Sequence, residues 1–371
     1  MKSVKKGIAV ISLALVAILL FSACGGSQSG GQTGGGQTGG ATGSVWDGVD
    51  VSLQMQTHLS SIGNMTMDFP HMIQLVENVT NGAVKISAHE AGSLYAIPDA
   101  LDAMQRGDLL MAYTVEGAWS DRVPVSLVSA GLPFIFSSND QGSMFMKNRG
   151  FVDILNEAYA EYGVHYIPYH VNTQGLISKV PITDVASMQG VKLRASGSLA
   201  RYLDLAGAAV TNVSASELYS AFQSGIIDGC SWGGPRPMME MNLHEIGQYL
   251  ISPDPIAGSW NSIYFSLAFW DTLTADQQNM LEAVIQLAGD QLSAATKVNN
   301  DLATAIFARR GITINHISQE AMAEFSEYGF QLLDNFAQND EYSARAVALL
   351  KDYLAESNGD QMVLINHTYF N

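Results

Sequence analysis

Cysteine is almost absent from this chain: Cys24 and Cys230 are its only two among 371 residues. Two thiols cannot build a disulfide framework or a four-thiolate zinc site. Positive charge is scarce as well. Eighteen Lys and Arg stand against 35 Asp and Glu, for a formal net charge of −17. A nucleic-acid or anionic-membrane partner needs a basic face, so neither is expected for the body of the chain. Charged residues reach only 14% while apolar ones make up 47%, a balance that favours a packed core over disorder. The length fits about two domains. Long apolar runs are missing after the first two dozen residues. The best later stretch, 123–136, is broken by Pro124, Gly131 and Pro133, so no membrane-spanning helix is expected there.

Catalytic signatures are missing too. His89-Glu90 and His244-Glu245 each begin like a zinc-protease motif, but Ser93 and Gln248 stand where the second His would have to be. There is no G-x-S-x-G elbow, no phosphate-binding loop and no calcium loop of the D-x-D-x-D-G kind. The eight His are scattered. Cys230 lies in the apolar run Ile226-Ile227-Asp228-Gly229-Cys230, where a thiol reads as a small buried hydrophobe or, alternatively, a nucleophile.

What is present begins at the N-terminus. Lys2, Lys5 and Lys6 precede an apolar run over 8–21, the pattern of a secretory leader. Phe21-Ser22-Ala23-Cys24-Gly25 follows and resembles the bacterial lipobox, in which the cysteine is lipidated and becomes the new N-terminus. The family prefers Leu where Phe21 stands. Residues 1–23 are therefore expected to be a signal peptide and Cys24 a lipid attachment site. Residues 24–44 are Gly-, Ser-, Gln- and Thr-rich, with no core-forming side chains. Such a tether spans about 25 Å on average. With the leader removed, 15 basic residues face 35 acidic ones.

From residue 51 strand-like and helix-like stretches alternate, which means α/β units. Strands are expected over 51–57, 84–88, 109–113, 164–169, 191–194, 226–230 and 263–268. Helices are expected over 68–78, 97–106, 151–162 and 198–206. Ser214-Ala215-Ser216-Glu217 has a capping-box pattern opening a helix that ends at Gly225. Thr274-Ala275-Asp276-Gln277 opens a longer one, with apolar residues at helical spacing from Met280 to Ile306 and a stop at Gly311. Uninterrupted over 275–310, it would be about 54 Å long and could tie two domains together. The alternative is two helices kinked near Gly289.

The block 185–235 carries the chemistry. Arg194 ends the strand Gly190-Val191-Lys192-Leu193-Arg194 in a chain with few cations. Ligands of open α/β sheets bind beyond the carboxyl ends of strands, and a guanidinium there can grip a carboxylate through two parallel hydrogen bonds. A surface salt bridge is the competing reading. The same block holds Gly207-Ala208-Ala209 at a helix end and Ser216-Glu217-Leu218-Tyr219-Ser220-Ala221-Phe222-Gln223-Ser224-Gly225-Ile226-Ile227-Asp228-Gly229. Outside it stand Ala91-Gly92-Ser93-Leu94, Leu132-Pro133-Phe134, and Phe269-Trp270 with Leu273 and Asp276-Gln277-Gln278. In order and spacing, over about 51–354, these motifs resemble the solute receptors of tripartite ATP-independent periplasmic (TRAP) transporters, the C4-dicarboxylate-binding family.

The resemblance implies a two-domain periplasmic-binding-protein-like α/β fold, with a ligand cleft between the domains and a long helix spanning both. It implies domains over 45–171 plus 260–299 and over 172–259 plus 300–371. It makes Arg194 the carboxylate clamp and puts Ser231 and Trp232 beside the ligand. A subgroup that binds keto acids, some with a metal ion, has an acid before that tryptophan. Ser231 replaces it here, and a hydroxyl is a poor calcium ligand, so no metal and no other cofactor is expected. Asn172 and Gln174, near one domain crossover, offer amides to a ligand or close a turn. Trp260, at a second crossover, would stack on a ligand or pack in the core. Tyr95 and Glu116 lie on first-domain loops that often face the cleft, and an ordinary solvated acid is the alternative for Glu116.

The function implied is an extracytoplasmic receptor, lipid-anchored to a membrane. It would bind a dicarboxylate, keto acid, sugar acid or aromatic acid, close over it and deliver it to a membrane permease. Two alternatives stand beside it. One is a secreted enzyme acting on a small acidic or sugar substrate through carboxylates such as Glu116 and Asp228. The other is a ligand-sensing partner of a membrane sensor kinase.

Overall fold

The computed structural model describes residues 44–59, 69–211 and 213–358. Residues 1–43, with the expected signal peptide, Cys24 and most of the expected tether, lie outside the described residues. The chain first alternates through β1 (Val51–Thr57), α1 (Pro70–Val79), β2 (Val84–His89), α2 (Ile97–Gln105) and β3 (Met111–Val115). Helices α3 (Ser126–Ser129), α4 (Asn139–Asn148) and α5 (Phe151–Ala160) follow. A long strand, β4 (Val164–Gln174), leads into β5 (Leu176–Ser178), β6 (Lys192–Arg194), α6 (Gly197–Leu205), β7 (Ala209–Thr211), α7 (Ala215–Ser224), β8 (Gly229–Ser231), α8 (Pro235–Glu240) and β9 (Tyr249–Ser252). A second long strand, β10 (Ile256–Ser266), precedes α9 (Leu267–Trp270), α10 (Ala275–Arg309), β11 (Thr313–His316), α11 (Gln319–Phe336) and α12 (Glu341–Asn358).

The strands form two sheets, each the centre of a lobe. The first has the order β2-β1-β3-β10-β4, with β10 antiparallel to both neighbours. The second has the order β11-β9-β5-β8-β6-β7, with β6 parallel to β7 and β8. In β4 and β10 nearly every residue is buried, because helices cover both faces of the first sheet. Ile263 and Phe265 pack toward α10, while Tyr264 lies in the cluster with Tyr159 and Tyr166 on the other side. The chain crosses between sheets where β4 runs into β5 and where β9 returns to β10.

Helix α10 is the third connection. Its 35 residues run about 52 Å without a break. The capping box forms at its start: the Thr274 hydroxyl accepts from the Gln277 N–H, and the Gln277 side chain accepts from the Thr274 N–H. Leu281, Val284, Ile285 and Ala288 pack into the first lobe, and Phe307 packs into the second. The helix does not kink at Gly289. At that glycine the helix lies directly against β4: a Cβ there would sit 1.7 Å from the Tyr169 carbonyl oxygen. One turn on, the Ser293 hydroxyl accepts from the Val171 N–H at 3.0 Å and donates to the Gly289 carbonyl at 2.7 Å. Farther along, Asn300 is buried and its Oδ1 accepts from the Arg236 N–H in the first turn of α8. The helix is thus fastened to both lobes.

The other expected box does not form. Ser214 does precede α7, but its hydroxyl donates to the Glu217 carboxylate at 2.6 Å instead of accepting from the helix backbone. Helix α11 binds both sides, since the Tyr202 hydroxyl donates to the Phe325 carbonyl and the Ser326 hydroxyl to that of Phe134. Helix α12 lies on α5, where Arg345 pairs with Glu157 and Tyr342 with Glu161. Among the described residues no helix is long and apolar enough to cross a membrane.

Candidate ligand-binding site

Arg194 is the last residue of β6, opposite Cys230 in the parallel neighbour β8. Gly229, one residue earlier in β8, is hemmed in from both sides: a Cβ there would lie 2.9 Å from Leu193 Cδ2 on β6 and 2.9 Å from the Ile177 carbonyl oxygen on β5. The Arg194 side chain is buried, with 9% of the residue exposed. Its Nε donates to the Val213 carbonyl at 3.1 Å and its Nη1 to the Ser231 carbonyl at 2.9 Å. The guanidinium carbon stands 5.2 Å from the centre of the Trp232 ring, over its face. The guanidinium is thus fixed by two carbonyls and an indole. Burial lowers its pKa, and the Cys230 sulfur acts the other way. No carboxylate pairs with it among the described residues. A buried cation normally has a counter-charge, because burial without one is costly.

Three predicted residues therefore come together: Arg194, Ser231 and Trp232. The Ser231 hydroxyl is buried and has no hydrogen-bond partner among the described residues. Cys230 beside them is fully buried, and burial pushes its thiol up to about 12, which leaves it unreactive at neutral pH. Among the described residues no group of three or more His, Cys, Asp or Glu is placed to hold a metal ion. The donors beside Arg194, a hydroxyl and a thiol, do not suit calcium either.

Asn172 and Gln174 lie on the crossing end of β4, opposite Ser259 and Ile256. The Asn172 Oδ1 is used locally, accepting from the Thr173 N–H at 2.8 Å. Around them is a crossover core that the sequence did not flag. The Thr173 hydroxyl donates to the Asp254 carboxylate at 2.7 Å, and the Gly175 N–H to the Gly233 carbonyl at 2.6 Å. Burial raises the Asp254 pKa to about 6, with the Thr173 hydrogen bond opposing. Val213 was also unflagged, since it contributes only its carbonyl and no side-chain chemistry marks it.

The remaining predicted residues sit in the first lobe. Trp260 is 1% exposed, with the Lys147 ammonium 5.6 Å from its ring centre. Tyr95 is half-buried, its N–H bound to Gln56 Oε1, and lines an open groove of about 560 Å³ that does not include Arg194. Glu116 is not a solvated acid. It is buried, and its Oε2 accepts from the Ser129 hydroxyl at 2.9 Å. Burial raises its pKa to about 7, while the hydroxyls of Ser262, Ser129, Tyr166 and Tyr264 oppose that shift. Asp228 is far from it in the fold, bound to the backbone and ammonium of Lys192. The two carboxylates named for an enzyme therefore do not form a pair.

The raised Glu116 pKa has a consequence for stability. The folded state holds this proton more tightly than the unfolded chain, whose value is near 4.5. Its contribution is neutral below that value and grows unfavourable as pH rises toward 7, by about 3 kcal/mol in all. The stability difference between Glu116→Gln and the parent should therefore shift in favour of the variant between about pH 4.5 and 7.5. Urea melts at several pH values measure this, and a difference independent of pH would contradict the buried carboxyl.

Among known protein families, the profile of the bacterial extracellular solute-binding protein family 7, DctP, matches residues 56–340. The chain belongs to that family. A family member from Nostoc, a monocarboxylate 2-oxoacid-binding periplasmic protein, is 24% identical over 273 residues, 71% of this chain and 73% of that one. The C4-dicarboxylate-binding protein DctP of Rhodobacter capsulatus is 24% identical over 288 residues, 76% of this chain and 85% of its own. A TRAP periplasmic solute-binding protein of Rhodobacter sphaeroides, solved in an open form, superposes with a TM-score of 0.72 at 22% identity, covering 83% of this chain and 98% of that one. The two-lobed α/β architecture with its spanning helix is that of the TRAP solute receptors.

Proposed function

We propose that this family 7 member is the extracytoplasmic receptor of a TRAP transporter, which closes on a small organic carboxylate and delivers it to a membrane permease. The observation that carries the ligand class is Arg194: a buried guanidinium, held by two carbonyls and an indole, with no carboxylate of its own. A ligand carboxylate would supply the missing charge through two parallel hydrogen bonds. The names of the Nostoc and R. capsulatus relatives, both receptors of organic acids, support the same class.

The moving parts would be residues 45–171 with 260–299 against 172–259 with the beginning of 300–371; α12, expected with the second part, lies on α5 and would travel with the first. These boundaries fall within β4, β10 and α10, the three segments that run from lobe to lobe. Binding shifts the open–closed equilibrium only as far as the ligand prefers the closed form. A binding role without turnover is supported by the separation of Glu116 from Asp228 and by the unreactive Cys230 thiol. Lipidation at Cys24 would hold the receptor near its permease. One experiment on the full chain tests both parts. Detergent-extracted protein should melt higher with an organic acid from a screening panel and leave that acid unconsumed, by about 2.7 kcal/mol of stabilisation at 100 times the dissociation constant. The Cys24→Ser form should leave the membrane fraction and show the same shift. Consumption of the acid, or no shift with any, would refute the receptor reading; a membrane-bound Cys24→Ser form would refute the anchor.

A further inference from the structure

We propose that the Arg194 site takes a ligand with one carboxylate and an otherwise uncharged body, a monocarboxylate rather than a dicarboxylate. This rests on the receptor reading and narrows its ligand class. Relatedness does not decide the matter, since a monocarboxylate receptor and a C4-dicarboxylate receptor are each 24% identical to this chain. The cations of the chain do decide it. Apart from Lys2, Lys5 and Lys6 there are fifteen Lys and Arg, and all lie among the described residues; 60–68, Asn212 and 359–371 contain none. Apart from those three lysines, every cation that could serve as a second clamp thus has a place in the fold.

Ten of the fifteen are paired with a carboxylate of the protein. Lys179 donates to the Phe222 carbonyl and lies over that ring. Arg310 lies against His244. Arg201 and Arg309 are exposed on α6 and at the end of α10, where water already screens them. Among the described residues only Arg194 is both buried and without a carboxylate. Of its five N–H groups two are committed, to Val213 and Ser231. Three remain, at the Nη1 and Nη2 end, and these suffice for one bidentate carboxylate.

Other sources of positive potential are also spent. The α7 N-terminus begins two residues after Val213, but its first turn already carries Glu217, whose carboxylate is held by Ser214. Burial holds His58 and His170 of the first lobe at about 4, so both are neutral at pH 7. A second ligand carboxylate would thus lose its water without gaining a partner, which is strongly unfavourable unless it takes up a proton. Trp232 and the unpartnered Ser231 hydroxyl instead offer the rest of the ligand an apolar wall and one neutral hydrogen-bonding group.

Calorimetry on the full chain with matched acids tests this: butanoate against succinate, lactate against malate, phenylacetate against phenylmalonate. At about pH 8, where both carboxyl groups are ionised, the monoacid of every pair that binds should bind at least about tenfold tighter. The diacid should close that gap as the pH falls toward about 5 and it takes up a proton. Diacids that bind as tightly as or tighter than monoacids at high pH, with an affinity that Arg194→Ala abolishes, would overturn this inference and leave the receptor reading standing. Binding by no member of any pair would count against both.

Discussion

Arg194→Ala is expected to weaken carboxylate binding at least about thirtyfold in calorimetry, the scale of about 2 kcal/mol or more seen when one partner of a buried, hydrogen-bonded charge pair is truncated. The loss should be accompanied by an opposite effect on the ligand-free protein. Without ligand, the buried guanidinium has two carbonyls and an indole but no anion, so its removal relieves a desolvation cost. The unliganded variant should melt no lower than the parent, while the ligand-induced rise disappears. Arg194→Lys should recover little. An ammonium retains the charge but cannot bridge Val213 and Ser231 while presenting two parallel donors. Unchanged affinity in Arg194→Ala would show that Arg194 is not the clamp. A variant that simply unfolds would be recognised by its ligand-free melt.

Gly289→Ala should lower the urea midpoint by the equivalent of at least about 2 kcal/mol. Two effects compete. Alanine is the better helix former by about 1 kcal/mol, and for a glycine facing solvent that would decide the sign. Here the added methyl would meet the Tyr169 carbonyl oxygen at 1.7 Å and its carbon at 2.5 Å. These are backbone atoms of β4, held in its ladder with β10, and have no rotamer by which to escape. The helix must move away, and with it goes the Ser293 bridge to Val171. Overpacking therefore outweighs propensity. A midpoint equal to or above that of the parent would mean that α10 does not approach β4 so closely.

Much of the fold was legible because its elements are long or sharply punctuated. The strand at 51–57 alternates, the helix at 97–106 has its Gly107 stop, and α10 has a box and an unbroken apolar period. The sequence could not say whether Gly289 marks a kink or a close approach, since the difference lies in what packs against it. The short strands β5, β7, β9 and β11 were not visible, because three or four residues carry too little periodicity. Strand 226–230 shrank to β8 for a related reason: Ile226 is 63% exposed despite its apolar side chain. At the site, Arg194, Ser231 and Trp232 were readable from motif and chemistry. Val213 was not, since a backbone carbonyl leaves no trace in residue type. Glu116 could be read as a cleft residue or a solvated acid until the tyrosines and serines around it, drawn from three separate segments of the chain, were brought together by the fold.

The fastening of α10 bears on how many ways the two lobes can move. Two bodies joined only by strands β4–β5 and β9–β10 could swing, slide and twist. A single helix is held on β4 at Gly289 and Ser293 and on α8 at Asn300, so its outermost attachments are eleven residues apart. That is about 16 Å of stiff rod. Sliding would require breaking one of its attachments, and stretching would require breaking the helix itself. On the proposed closure such a rod would favour rotation of one lobe on the other over sliding or stretching. Each closure would then return the same residues to the same register, and discrimination among ligands would not have to be rebuilt in every cycle of opening.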